Sequence, residues 1–232
     1  MATDTDKYSP TGNESIGYPQ ICIRTNRTAE RTDLKQVIRS ADEVAKQYPS
    51  GDKRRAKAVV DKLTSAFGGG GFGHSWIILF ESSSKHTTYA YHDGFGYVKD
   101  GTGSAHNDSP ERKFHLEYTV KLDDANKARD KIENVLVPVL NMVSAAVGYA
   151  ISGKKPDFKT GAYTAINNCT WFAGNVWKCC IGEPLNKRLT YEQEFDGADH
   201  ADNWCMPYLN LINEIADPGM LAETLAKVKT GS

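Results

Sequence analysis

The sequence predicts an α+β protein in which a small antiparallel sheet packs against helices. Three observations carry this. A β-prone run, Ser75-Trp76-Ile77-Ile78-Leu79-Phe80, is followed after Ser82-Ser83-Ser84 by Thr87-Thr88-Tyr89-Ala90-Tyr91, the pattern of a hairpin. Leu34, Val37, Ile38, Ala41 and Val44, and then Ala56, Val59, Val60 and Leu63, fall on helical spacing with charged residues between them. Asn167-Asn168 stands directly before an apolar-periodic segment that opens with Cys169, the signature of a capped helix start.

In chain order, about 15 polar residues, expected to be flexible, precede a strand-like alternation from Tyr18 to Arg24. Two amphipathic helices between Thr28 and Phe67 read as a paired layer, an insertion or cap on the core. The glycines Gly68 to Gly71 then separate this layer from the hairpin. A polar loop from Lys99 to Pro110 leads to a third strand, His115 to Leu122, and to a long helix capped by Asp123 or Asp124. Its apolar second half, Val135 to Ser152, is close to the lower length for a membrane span. A core-crossing helix is the preferred expectation. The Cys169 helix and a C-terminal helix within Pro207 to Lys229 complete the chain. One domain is expected, with its core at about 70–182 and an extension at 183–232.

Composition bounds the function. The 232 residues are 40% hydrophobic and 25% charged, with a net charge of -1. Mixed charge of this kind offers no footprint for nucleic acid or for an anionic membrane surface. The start Met1-Ala2-Thr3-Asp4-Thr5-Asp6-Lys7 lacks the basic and apolar parts of a secretory signal, so synthesis in the cytosol is expected. Five cysteines without C-x-x-C spacing suggest neither a disulfide framework nor zinc, and no pairing is assigned to Cys179, Cys180 or Cys205. No cofactor motif is present. The glycines around Phe72 lack the Lys-Ser/Thr of a phosphate loop, and the acidic run Asp196 to Asp202 does not have calcium-loop spacing. His106 and Asp108 read as part of a solvated loop.

The chemistry concentrates at Cys169. With Asn168 as N-cap, the thiol falls in the first helical turn, where unsatisfied N–H groups and the helix dipole favour its ionised form. Those N–H groups could also hold an oxyanion. Gly73-His74-Ser75-Trp76 places a histidine at a strand end beside glycine, a position suited to a general base. A two-residue turn at Ser83-Ser84 would set His74 opposite Asp93 on one face, whereas a slip of one residue would bring His92 there instead. The expected set is thus Cys169 as nucleophile, His74 as base and Asp93 as orienter, with His92 the alternate. Cys22 is a rival nucleophile by chain order, but it sits in an alternating run with no cap to depress its pKa.

These residues resemble a known arrangement, the circularly permuted papain-like fold. There the strand histidine comes first and the helix-borne cysteine last, as in permuted NlpC-like peptidoglycan hydrolases and lecithin:retinol acyltransferase-like proteins. The resemblance spans roughly Gly70 to Gly182 and rests on Gly73-His74-Ser75-Trp76, Tyr163 and Asn168-Cys169-Thr170-Trp171-Phe172. It implies the roles given above and makes Tyr163 a candidate contributor to the oxyanion hole. It also implies cleavage of amide bonds in peptidoglycan peptides. Without a signal peptide, such an enzyme would reach the periplasm of target bacteria through a type VI secretion machine and would be paired with an immunity protein. The alternatives are a lipid-directed acyltransferase or thioesterase of the same fold, and an inert binding module.

Overall fold

A computed structural model describes residues 6–68, 73–102, 107–155, 157–182 and 188–230. Five antiparallel strands form the main sheet in the order β4-β3-β2-β1-β5: β1 Gln20–Thr25, β2 Ser75–Phe80, β3 His86–His92, β4 Gly96–Lys99 and β5 Leu116–Lys121. Burial on both faces explains why the inner strands read as nearly continuous apolar runs. Ile21, Ile23, Ile77, Leu79, Tyr89 and Tyr91 face the larger core, against α5 (Cys169–Ile181) and α7 (Pro218–Thr230). Cys22, Trp76, Ile78, Phe80 and Phe114 form a smaller cluster on the other side.

The sheet draws one of its inner strands, β1, from outside the 70–182 span. Cys22 on β1 pairs with Ile78 on one side and Thr119 on the other. The opening segment is likewise tied down rather than flexible from residue 6 onward, because Lys7 bridges Phe114 and Arg24 donates to the carbonyl of Ser9. Arg24 is fully buried. It also donates to Pro110 O at 2.8 Å and to Glu117 Oε2 at 3.2 Å, while its guanidinium lies over the Phe114 ring. One buried cation therefore anchors the N-terminal arm and the loop after residue 107 to the sheet.

Helices α1 (Leu34–Ala45) and α2 (Arg54–Gly68) pair as expected, and build a second core with Phe195, Trp204, Met206 and Ile215. After β6 (Glu192–Glu194) and the short α6 (Ala198–Ala201), the single C-terminal helix expected from Pro207 is instead a 3-10 turn (Pro207–Leu211), strand β7 (Glu214–Ala216), which pairs with β6, and α7. The break follows from Asp217, a buried carboxylate that accepts from the N–H groups of Thr32 and Gly219, from the Thr32 hydroxyl and from Gln193.

The long helix corrects another expectation. α3 (Ala125–Asp130), capped by Asp124, continues through a π-helical turn (Lys131–Leu136) into α4 (Val137–Ser152). Rather than crossing the core, α4 packs on one face through Val137, Leu140, Asn141, Ser144 and Ala145. Val135, Val139, Met142 and Val143 remain exposed on the opposite side. By length and composition this helix could cross a membrane, and 28% of its apolar window is buried in the fold.

Candidate active site

Helix α5 begins as its sequence requires. Asn168 is in extended conformation, and its side-chain oxygen accepts from the N–H groups of Thr170 and Trp171, each at 3.0 Å. Its amide nitrogen donates to Ala216 O at 2.8 Å, so the cap is itself held by β7. Phe172, Ala173, Val176 and Trp177 bury the helix against the sheet. Cys169 then sits at the first helical position with 1% of its surface exposed.

His74 reaches the same place from β2. Gly73 before it has φ of +88°, and a Cβ there would lie 2.7 Å from the Cβ of Arg27, so only glycine fits without strain. The His74 N–H donates to Asn26 Oδ1 at 2.6 Å, and Asn26 N–H returns a bond to His74 O. A hydroxyl pair, Ser75 Oγ and Thr170 Oγ1 at 3.1 Å, clasps the strand end to the helix start. The His74 imidazole and the Ser75 backbone N–H stand close enough to the Cys169 thiol that both favour its ionised form.

The third residue is Asp108. Its Oδ1 lies 3.0 Å from His74 Nε2, which leaves Nδ1 as the ring nitrogen for the thiol. Asp93, the expected orienter, is exposed in the turn between β3 and β4. The cause is register. Residues 81–85 form a wide connection, in which the Ser82 hydroxyl accepts from the N–H groups of Ser84 and Lys85 and Glu81 N–H bonds Lys85 O. Phe80 therefore pairs with His86 rather than Thr87. That one-residue slip brings His92 beside His74, with ring centroids 4.5 Å apart.

His92 Nε2 lies 2.6 Å from Asp108 Oδ2, and Arg112 Nη1 lies 2.6 Å from Oδ1. Arg112 in turn covers the Trp76 ring at 4.8 Å. The buried carboxylate thus has three partners, and the alternate His92 supports the aspartate instead of replacing it. Asp108 is not the solvated loop residue expected from sequence, since it is 1% exposed. The available signal was its spacing of four from Arg112.

Electrostatics follow from these contacts. Burial opposes charge on Asp108, but the charge and hydrogen bond of His74, with the bond from His92, hold it well below the usual carboxylate range. Burial also works against protonated His74, yet Asp108 and the Cys169 thiolate push it up to about 9. Burial would raise the Cys169 thiol, and the His74 hydrogen bond and charge, with the Ser75 N–H and Tyr163 O–H, bring it below its ordinary value. Both shifts favour a thiolate–imidazolium pair. Cys22 is the opposite case, fully buried and pushed up to about 12. All five cysteines are free.

Tyr163 Oη lies 3.9 Å from Cys169 Sγ and also faces the Cys169 backbone N–H. Because the cap consumes the amides of Thr170 and Trp171, the first turn leaves the Cys169 N–H, beside the Tyr163 hydroxyl, as the amide free of cap bonds, not the several groups expected. His74, His92 and Asp108 also present three ligand atoms within 4.8 Å, the spacing of a metal site. Arg112 already occupies that carboxylate with a fixed positive charge, which opposes a second cation.

The pair predicts a distinctive pH profile. Iodoacetamide alkylation of Cys169 should rise much less than tenfold per pH unit between about pH 6 and pH 8, because His74, still protonated there, holds the thiol below its ordinary value. A rate that instead rises tenfold per pH unit across this range would show an unperturbed thiol.

Comparisons with protein-family models, curated proteins and solved structures return no match to this chain.

Proposed function

We propose that the chain is a thiol-dependent hydrolase with the residue order of a permuted papain-like enzyme. The observation that carries this is the His74–Asp108 hydrogen bond beside the Cys169 thiol, with the cysteine at a capped helix start. The Cys169 thiolate attacks a carbonyl carbon, forming a C–S bond, and the oxyanion accepts from the Cys169 N–H and the Tyr163 O–H. Collapse breaks the bond to the leaving group, which takes the proton held by His74. Water then attacks the thioester and gives its proton to His74, releasing the acid and restoring the thiolate–imidazolium pair. Asp108 holds the imidazole in one orientation throughout.

The resemblance extends the proposal to amide bonds of peptidoglycan peptides, in an effector delivered to the periplasm by type VI secretion and neutralised by an immunity protein. Lipid esters are the second carbonyl class, favoured by a cavity beside Tyr163. The test incubates the protein with peptidoglycan fragments and, separately, with p-nitrophenyl acetate, and weighs the Cys169 peptide after acid quench. An acyl adduct on Cys169 is expected, and it should fail to form in His74→Ala. Turnover that leaves Cys169 unmodified and is equal in the two proteins would remove the mechanism.

A further inference from the structure

From Val135 to Ser152 the chain carries no charged residue, and its polar side chains are unevenly placed. Asn141 and Ser144 turn inward, where the Tyr91 hydroxyl meets Asn141 Oδ1 at 3.0 Å and Ser144 Oγ at 2.5 Å, and Asn141 Nδ2 donates to Lys159 O at 2.6 Å. Val135, Val139, Met142, Ala146 and Tyr149, spaced four, three, four and three apart, form an outward stripe. Its four larger side chains are 48–58% exposed. A continuous apolar face of this kind marks an interaction surface. Beyond Gly153, which closes α4 in left-handed conformation, come three exposed lysines, Lys154, Lys155 and Lys159, against a single aspartate, Asp157, and with them the exposed Phe158. Tyr149, Lys154 and Lys155 line the same cavity, so the cations stand beside the end of the stripe.

We infer that α4 lies along the surface of a bilayer containing anionic lipid, with the stripe entering the acyl boundary and the lysines resting on the headgroups. The inference does not depend on the chemistry of Cys169. Hydrocarbon asks for no hydrogen bonds, and the stripe offers none before the Tyr149 hydroxyl, which stands at its end beside the lysines, where an amphipathic ring meets the headgroup layer. The helix lies on the bilayer rather than crossing it, because crossing would strip Asn141 and Ser144 of their inward bonds. A second copy is a poorer occupant. Sixteen helical residues present a strip roughly 24 Å by 10 Å, about 240 Å², against about 800 Å² per partner in a stable protein interface. A bilayer extends past the strip and takes up the lysines as well. Overall charge concealed this arrangement, since the balance over the whole chain averages out a local excess of lysine. The Ala162 N–H donates to Ser144 Oγ at 3.2 Å, so the segment leading to Tyr163 hangs from the inner face of the same helix. Docking of α4 thereby fixes the height of the Cys169 site above the lipid.

Sedimentation of the full chain with sucrose-loaded vesicles tests this, using phosphatidylcholine alone and equal parts of phosphatidylcholine and phosphatidylglycerol. The protein should pellet with the mixed vesicles, less so as salt is added and less so with phosphatidylcholine alone. Val139→Asp and, independently, Met142→Asp should weaken binding at least tenfold, and Lys154→Gln roughly fivefold. All three side chains are exposed, so iodoacetamide should alkylate Cys169 in the variants at the wild-type rate, which reports an intact fold. Protein that stays in solution with both kinds of vesicle would overturn the inference, as would pelleting that neither aspartate alters. Equal binding to both compositions, unchanged in Lys154→Gln, would remove the anionic surface. Self-association in sedimentation velocity that Met142→Asp abolishes, without binding to vesicles, would assign the stripe to a second copy instead.

Discussion

Cys169→Ala should lower kcat/KM by about 10⁶-fold, the scale seen when the nucleophile of a preorganised triad is deleted. His74→Ala should cost nearly as much. The two losses should not add in the double variant, because a base without its thiol, or a thiol without its base, has no task left. Fold is expected to survive Cys169→Ala, since the change removes one sulfur beside Tyr163 and leaves the Asn168 cap bonds in place. Steady-state kinetics with p-nitrophenyl esters, alongside thermal unfolding, separate these effects. Activity in Cys169→Ala within tenfold of wild type would exclude covalent catalysis at this position.

Asp108→Asn should reduce kcat/KM by about 10³- to 10⁴-fold, and Asp93→Asn should leave it unchanged. The large effect follows from loss of the anion that favours imidazolium and fixes which ring nitrogen faces the sulfur. Without it the pKa of His74 falls and that of Cys169 rises, so alkylation should become strongly pH-dependent between pH 6 and 8. A merely structural aspartate would not alter that profile in a protein that still folds. Asparagine also leaves the half-buried guanidinium of Arg112 and the ring of His92 less well matched, for a stability loss of about 1–3 kcal/mol in urea unfolding. If Asp93→Asn, rather than Asp108→Asn, proved damaging, the assignment of the third residue would be wrong.

These assignments divide by the range of the signals that encode them. The Asn168 cap, the first-turn position of Cys169 and the strand-end position of His74 are local, and each was readable within a few residues. Tyr163 was legible as a candidate only through the papain-like resemblance, by its place six residues before Cys169. Asp108 was not, since it comes from an irregular loop without periodicity and reaches His74 only after the sheet has formed. The choice between Asp93 and His92 hinged on one residue of register, and that was set by the Ser82 hydroxyl bonding the loop backbone, which alternation of strand residues does not encode. Similarly, β1 was readable as a strand, but its place between β2 and β5 depends on partners more than fifty residues away. The Val135 to Ser152 run shows a further gap. Hydropathy records how apolar a helix is, not which way each side chain faces, and the outward row of Val139, Met142 and Val143 was hidden for that reason.

The hydroxyl clasp between Ser75 and Thr170 joins two pieces of chain 95 residues apart. Base and nucleophile are consequently not two parts of one rigid element but the two sides of a seam, aligned only while α5 lies on the sheet. Catalytic competence then measures the docking of that helix. On the proposed reading, a condition that loosens this seam is expected to end activity before the sheet itself gives way.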